Sequence, residues 1–388
     1  MELNKYFDCL DLEKMGLNGL DDTCIAGSII CNNVNYELNE NDLDADIAII
    51  GVGERRGEGV TEYSHAADNI RKQLYRLKRF SKKIRITDLG NMKRTDTLEQ
   101  AYDALTDVCC RLLQARVIPL VLGGSNDMVV ATYRAYELIG QIINMVGIDS
   151  RIDLKSLDKT ISADNFLAHL FCSEPNYLFN YTHIGYQSYF VDPPLVDLMR
   201  NLKFDVYRLG EMQAKLSDTE PLIRNADMLA IDMNAVRASD NPCSDTPHGF
   251  YGEELCKMTD YAGMSDKLSS IGFYGYDSDM DFNLNGAKLI AHAVWYFMYG
   301  FLWRKNDFPY KDLNNYYRFS VMLEENNSII FYKSKKSERW WMQVPCSSEN
   351  RAKYMRHYLV PCTYEDYRKA TENIIPDRWV NAYEKINL

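Results

Sequence analysis

Apolar residues along this chain follow two alternating patterns. The first is a short continuous run ending in a turn: "ADIAIIGVG" (Ala45–Gly53), "KIRITDLG" (Lys83–Gly90), "VIPLVLGG" (Val117–Gly124), "INMVGIDS" (Ile143–Ser150), "YTHIGYQ" (Tyr181–Gln187), "FDVYRLG" (Phe204–Gly210), "ADMLAIDMN" (Ala226–Asn234) and "LSSIGFYGYD" (Leu268–Asp277). Runs of this length bounded by turn residues predict buried strands. The second pattern repeats every three or four residues and predicts amphipathic helices. It covers Thr61–Arg79, Thr97–Arg116, Met128–Gly140, Gly252–Met264 and Gly286–Trp303. Strand alternating with helix implies an α/β fold, a mostly parallel sheet covered by helices on both faces. Ligands in such sheets sit at the carboxyl ends of the strands. Here those ends are Gly51–Arg55, Gly123–Asp127, Asp149–Asp153, Asp232–Asn234 and Tyr274–Asp281.

The rhythm changes near residue 307. "YYRFSVMLEENNSIIFYKSKKSERWWMQVP" reads as three strands of a β-meander. "CTYEDYRKATENIIPDRWVNAYEKINL" (Cys362–Leu388) then reads as helical, interrupted at Pro376. Residues 1–306 are therefore expected to form the main domain, with 307–388 an extension packed on it.

Composition narrows the function. The 388 residues are 46% hydrophobic and 26% charged, ordinary for a globular chain. A net charge of −11 argues against nucleic acid, which demands a basic face. The start "MELNKYFDCLDLEKMG" lacks the apolar segment of a secretion signal. The run Leu289–Trp303 is too short to span a bilayer and contains His292. A cytoplasmic protein without membrane contact is expected. The ten cysteines show no CxxC pair and are expected to be reduced core thiols, including the adjacent Cys109 and Cys110.

Five strand ends, in order, resemble the ureohydrolases: arginase, agmatinase and formimidoylglutamase. "DLGN" (Asp88–Asn91) resembles an early Asp-Leu-Gly-Asp element, and "PLVLGGSND" a strand ending in Gly-Gly-Asp-His. "GIDSRIDL" (Gly147–Leu154) resembles Asp-Ala-His-x-Asp, and "ADMLAIDMNAV" (Ala226–Val236) resembles Ser-x-Asp-x-Asp. "FYGYDSDMD" and the helix after it resemble the last strand end and closing helix. The likeness covers roughly residues 40–305 and implies a three-layer αβα sandwich. The tail resembles that of a bacterial arginase-like or formimidoylglutamase-like subgroup. The family's site implies two Mn²⁺ ions, bridged by aspartates and capped by histidines, that activate water against a guanidinium or formimino carbon.

Carried over position by position, the metal ligands fall on Asn126, Asp149, Arg151, Asp153, Asp232 and Asn234. Asn126 and Arg151 replace both histidines, and Asn234 replaces one aspartate. The glutamate that would grip a guanidinium falls on Gly275. An arginine cannot ligate a metal. With the strand carried on through residue 153, its period of two puts Asp149, Arg151 and Asp153 on one face, so the expectation is a binding or regulatory pseudoenzyme with no cofactor, Arg151 serving as an internal cation among Asp149, Asp153 and Asp232. The alternative is a divergent hydrolase of linear amidines or guanidino compounds. In it, Mn²⁺ or Mg²⁺ is held by the three aspartates. A cationic or amine ligand fits the surplus negative charge, and self-association or a protein partner is plausible for the family.

Other residues are weaker candidates. Asn126 and Asp127 can cap the helix starting near Met128 or line the pocket. His169 can align loosely with a histidine near the substrate. His248 and His183 are possible replacement ligands, whereas His65 and His292 sit in helical patterns. Trp340 and Trp341 are expected to clamp the tail to the body. The loop "GVGERRGEG" (Gly51–Gly59) is expected at the pocket mouth, where Arg55 and Arg56 can meet an anion.

Overall fold

The structure is a computed structural model that describes residues 5–38, 44–158, 160–309, 313–323 and 328–387. Eight parallel strands form its centre, in the order β4 (Ile86–Met92), β3 (Ile47–Gly51), β5 (Ile118–Leu122), β10 (Ser270–Tyr274), β9 (Met228–Asp232), β6 (Ile143–Ile148), β7 (Leu178–Tyr186) and β8 (Asp205–Arg208). Two short strands, β1 (Phe7–Asp8) and β2 (Ile29–Cys31), both pair with β4, the first of them antiparallel.

The apolar runs work as the pattern predicted. Every residue of β3, β5, β6, β9 and β10 is buried. Successive side chains enter opposite layers, as a strand's period of two requires. Ile47 and Ile49 pack with α1 (Ala66–Leu74), α8 (Gly252–Met264) and α9 (Asn285–Phe301). Ala48 and Ile50 pack with α2 (Leu98–Gln114), α3 (Val129–Leu138), α4 (Phe166–Phe171) and α5 (Pro193–Asn201). The fold is the expected αβα sandwich. Among the described residues no helix is long and apolar enough to cross a membrane.

Asp88 of "DLGN" is not at the site. It is fully buried and takes a bidentate pair from Arg71, with Nε and Nη2 each at 2.8 Å. The element therefore joins α1 to β4. Two further helices, α6 (Leu209–Ala214) and α7 (Thr219–Arg224), lie between β8 and β9.

The tail forms a second, antiparallel sheet of β11 (Tyr316–Met322), β12 (Ser328–Ser334), β13 (Trp340–Gln343) and β14 (Leu359–Cys362). The fourth strand was not anticipated because it contains Pro361, which suits only an edge strand. Helices α10 (Ser348–Lys353), α11 (Tyr364–Thr371) and α12 (Asp377–Asn387) complete it, with Pro376 just before α12. Arg224 ties this sheet to the body. Its guanidinium donates to the Trp340 and Cys362 carbonyls, each at 3.2 Å, and lies over the Trp341 ring at 4.5 Å. Arg356 reaches Asp227 beside the start of β9, and His357 Nε2 donates to the Ile142 carbonyl at 3.2 Å beside the start of β6. The tail thus packs at the amino ends of the parallel strands.

Candidate functional site

The opposite, carboxyl ends of β5, β6, β9 and β10 surround a cleft of about 290 Å³. Each strand delivers its chemistry at the point where the ladder stops. The diglycine turn after β5 needs positive φ at Gly123 (+89°) and Gly124 (+82°), and it carries Asn126 to the cleft wall. β6 ends at Ile148, so Asp149, Arg151 and Asp153 lie on a loop rather than on one strand face. Asp232 is the last residue of β9, paired across the sheet with Tyr274, and Gly275 follows.

Three carboxylates converge on the floor. Asp149, Asp153 and Asp232 each place an oxygen within 4.8 Å of the other two. Local hydrogen bonds aim them. Asn126 Nδ2 donates to Asp153 at 2.8 Å, the Asn234 amide to Asp232 at 2.7 Å and the Arg151 amide to Asp149 at 3.1 Å. Burial and like charge raise all three carboxyls: Asp149 well above its ordinary range, Asp153 to about 6 and Asp232 to about 8.

Arg151 does not neutralise them. Its Nη2 bonds Asp245 at 2.5 Å and its guanidinium lies 3.9 Å from the Phe190 ring centre, with the side chain 39% exposed. Once β6 has ended, no strand periodicity forces residue 151 inward, and an exposed ion pair on an aromatic face avoids desolvating the guanidinium. The expected internal cation is therefore absent from the carboxylate cluster.

The other candidates fall in several places. Asn234 and Gly275 line the cleft. Gly275 has φ +68°, and a Cβ there would lie 2.7 Å from Asp232 Oδ1. Asp127 is fully buried away from the cleft and accepts from Tyr102 at 2.5 Å. Neither Asn126 nor Asp127 caps α3, whose first turn has no side-chain cap. His183 reaches the cluster's rear wall, but both ring nitrogens are engaged, with Tyr181 and with the Asp149 carbonyl, each at 3.1 Å. Burial holds its pKa down at about 4. His169 and His248 lie outside the cleft lining. Arg56 turns to Glu54 at 2.6 Å, leaving Arg55 at the mouth.

The Gly51–Gly59 loop does reach the mouth, as expected, but sequence reading singled out only its arginines and not the other residues there. Glu58, Asp164, Cys243, Asp277 and Met280 line it. The charged glycine-rich stretch around Glu58 and the acidic "YDSDMD" around Asp277 were the available signals.

The arginase family profile matches residues 45–300. Formimidoylglutamase of Salmonella schwarzengrund is 34% identical over 152 residues, which is 36% of this chain and 47% of that protein. The match thus spans about half the length of that curated relative. Among solved structures, Trypanosoma cruzi formiminoglutamase with Mn²⁺ superposes with a TM-score of 0.62 at 18% identity, covering 69% of this chain and 96% of that one. Bacillus subtilis formimidoylglutamase gives 0.62 at 15% identity, covering 76% and 99%. Proclavaminate amidino hydrolase of Streptomyces clavuligerus gives 0.54 at 18%, covering 66% and 91%. These likenesses establish the fold. They also correct the expectation that no cofactor belongs here: a neighbour of this fold holds manganese, and this chain gathers three carboxylates fit for a metal.

Proposed function

The chain belongs to the arginase family, and from that premise we propose that it is a metal-dependent hydrolase of a carbon–nitrogen bond in a linear amidine or guanidine. The observation that carries this reading is the cluster of Asp149, Asp153 and Asp232. Three converging carboxyls, whose raised pKa values reflect burial and unrelieved crowding of like charge with no interposed side-chain cation, suit a hard divalent ion. Manganese is the ion found with the Trypanosoma cruzi neighbour.

These three aspartates would hold the ion. Bound there, a divalent cation supplies Lewis acidity, lowering the pKa of water and stabilising developing charge. The chain's own groups prepare the place. Asn126 fixes the Asp153 oxygen, and the Asn234 and Arg151 amides fix Asp232 and Asp149. The withdrawal of Arg151 to Asp245 keeps a competing cation off the floor.

A second reading, binding without turnover, draws on one observation. The imidazole nearest the cluster, His183, has both nitrogens engaged and no lone pair directed at the floor. Metal analysis and turnover assays separate the two. Purified protein is loaded with Mn²⁺, dialysed and analysed, then assayed for urea or ammonia release from amidines and guanidines. Bound manganese with product release supports the hydrolase, bound manganese without it supports the binding reading, and no retained metal removes the hydrolase.

A further inference from the structure

Away from the cleft, one stretch of the chain reverses the charge of the whole. Residues 71–85, "RKQLYRLKRFSKKIR", hold eight basic residues and no acidic one in a protein of net charge −11. Arg71 is paired with Asp88 inside the fold, and Arg85 with Asp44 and Asp46. Arg76, Lys78, Arg79, Lys82 and Lys83 are all exposed, and none of these five is in an ion pair among the described residues. Arg76 donates to the Gly16 carbonyl at 3.3 Å and Lys78 to Thr23 Oγ1 at 2.6 Å, neutral acceptors that cancel no charge. The segment ends where β4 begins, so the patch lies at the amino ends of the strands, away from the cleft.

Aromatic rings adjoin these cations. Phe80 packs on Trp295 of α9 with ring centroids 5.0 Å apart, Trp295 stacks on Tyr299 at 5.4 Å, and Trp303 follows 6.3 Å from Tyr299. Lys82 Nζ lies 3.5 Å from the Trp303 ring centre, and the Nζ of Lys305, also exposed, lies 5.8 Å from it. Tyr299 and Trp303 are nonetheless 39% and 42% exposed. Arg79, Phe80, Lys82 and Lys83 share a groove of about 540 Å³ with Ile30 of β2, which is also exposed.

Three features select the partner. The six free charges have one sign, which calls for an extended anionic surface. The ring faces are taken up by one another and by Lys82, so solvent meets ring edges, and a nucleic-acid base finds no free face on which to stack. Four of the six cations are lysines, which are depleted from the dry centre of protein interfaces but stay hydrated over a fluid layer of headgroups. Ring edges and an apolar side chain flanked by ammonium groups match the boundary between headgroups and acyl chains.

We propose that this face docks the protein on the surface of an anionic phospholipid membrane. Arg76, Lys78, Arg79, Lys82, Lys83 and Lys305 meet headgroup phosphates, while Trp303, Tyr299 and Ile30 settle beneath them. The remainder of the chain, which carries the surplus of acid, is repelled by the same surface, so contact is confined to this face and the cleft stays open to water. The proposal does not depend on the hydrolase reading. It departs from the expectation of no membrane contact, which considered spanning segments and overall charge rather than one face.

The full chain is sedimented with vesicles of phosphatidylcholine alone and of phosphatidylcholine mixed with phosphatidylglycerol. Binding to the mixed vesicles is expected to be at least about tenfold tighter, the advantage shrinking as salt rises. The Arg79→Glu, Lys82→Glu, Lys83→Glu triple variant should lose it. A Lys336→Glu, Lys353→Glu, Lys369→Glu variant, of the same net charge but altered on the tail, should keep it. Brominated acyl chains should quench the tryptophan fluorescence of bound protein, and Trp303→Phe should reduce that quenching. Equal binding to both vesicles, a triple variant that binds like wild type, loss of binding in the tail variant, or no quenching overturns the proposal. Tighter binding to a single-stranded oligonucleotide, lost in the same triple variant, assigns the patch to nucleic acid and overturns it too. Should the triple variant not fold, Lys83→Glu decides alone: binding weakened several-fold sustains the proposal, and unchanged binding overturns it.

Discussion

Replacing Asp232 by asparagine is expected to stabilise the metal-free protein while abolishing its manganese affinity. Asp232 is 7% exposed and shares its corner with Asp149 and Asp153. Burial, reinforced by the charge of Asp153, lifts its carboxyl from 3.8 to about 8. A folded-state pKa above the unfolded value means that the native state binds the proton more tightly. The stability this lends is complete below the unfolded pKa, near pH 4, and is lost as pH rises through about 8. About three pH units separate the unfolded value from neutrality. At ~1.4 kcal/mol per unit, wild type has lost on the order of 4 kcal/mol by pH 7. Asparagine keeps an acceptor for the Asn234 amide, now at 2.7 Å, and carries no charge to repel. Urea unfolding in EDTA from pH 5 to 8 should therefore show the variant drawing ahead of wild type as pH rises, by a few kcal/mol at neutrality. Excess Mn²⁺ should reverse the order, because only wild type gains from binding. Superimposable pH–stability curves for the two metal-free proteins would mean that the three acids do not crowd one another, and the reasoning about the floor fails with them.

Arg151→Ala should leave manganese affinity within about twofold and cost no more than ~1 kcal/mol, since its pair with Asp245 is exposed; a large loss of metal binding on metal analysis would return Arg151 to the floor. Gly275→Ala should destabilise by roughly 1–3 kcal/mol and weaken manganese binding, because φ is +68° and the added carbon presses on Asp232; unfolding and metal titration read both effects. Arg224→Ala should cost roughly 1–3 kcal/mol, leaving two buried carbonyls without this donor and Glu220 with Arg339 as its remaining partner, and should expose the second sheet to limited proteolysis before the main body.

The architecture was readable because strands buried on both faces cannot hide their pattern. Runs such as Ile47–Gly51 and Met228–Asp232 are apolar throughout, and their turns mark where function sits. Asp149, Asp153 and Asp232 were legible for the same reason, each lying within five residues of a strand end. The direction of Arg151 was not. It was read as if β6 continued to residue 153, whereas the strand stops at Ile148 and the loop's side chains answer to Asp245 and Phe190, remote in sequence. Glu58 and Asp277 escaped notice for a related reason: 219 positions separate them, and only the folded sheet brings β3 next to β5 and β5 next to β10. Counting lost histidines suggested a metal-free site. The surviving carboxylates, brought within 4.8 Å, are what the geometry turns on.

Arg356 and His357 grip the body beside Asp227 and Ile142, while the acids emerge past Asp232 and Ile148. Five or six residues of strand, about 16–20 Å, insulate one pole of the molecule from the other. A cargo, label or immobilising surface attached to the tail would leave the entrance of the carboxylate-lined cleft clear.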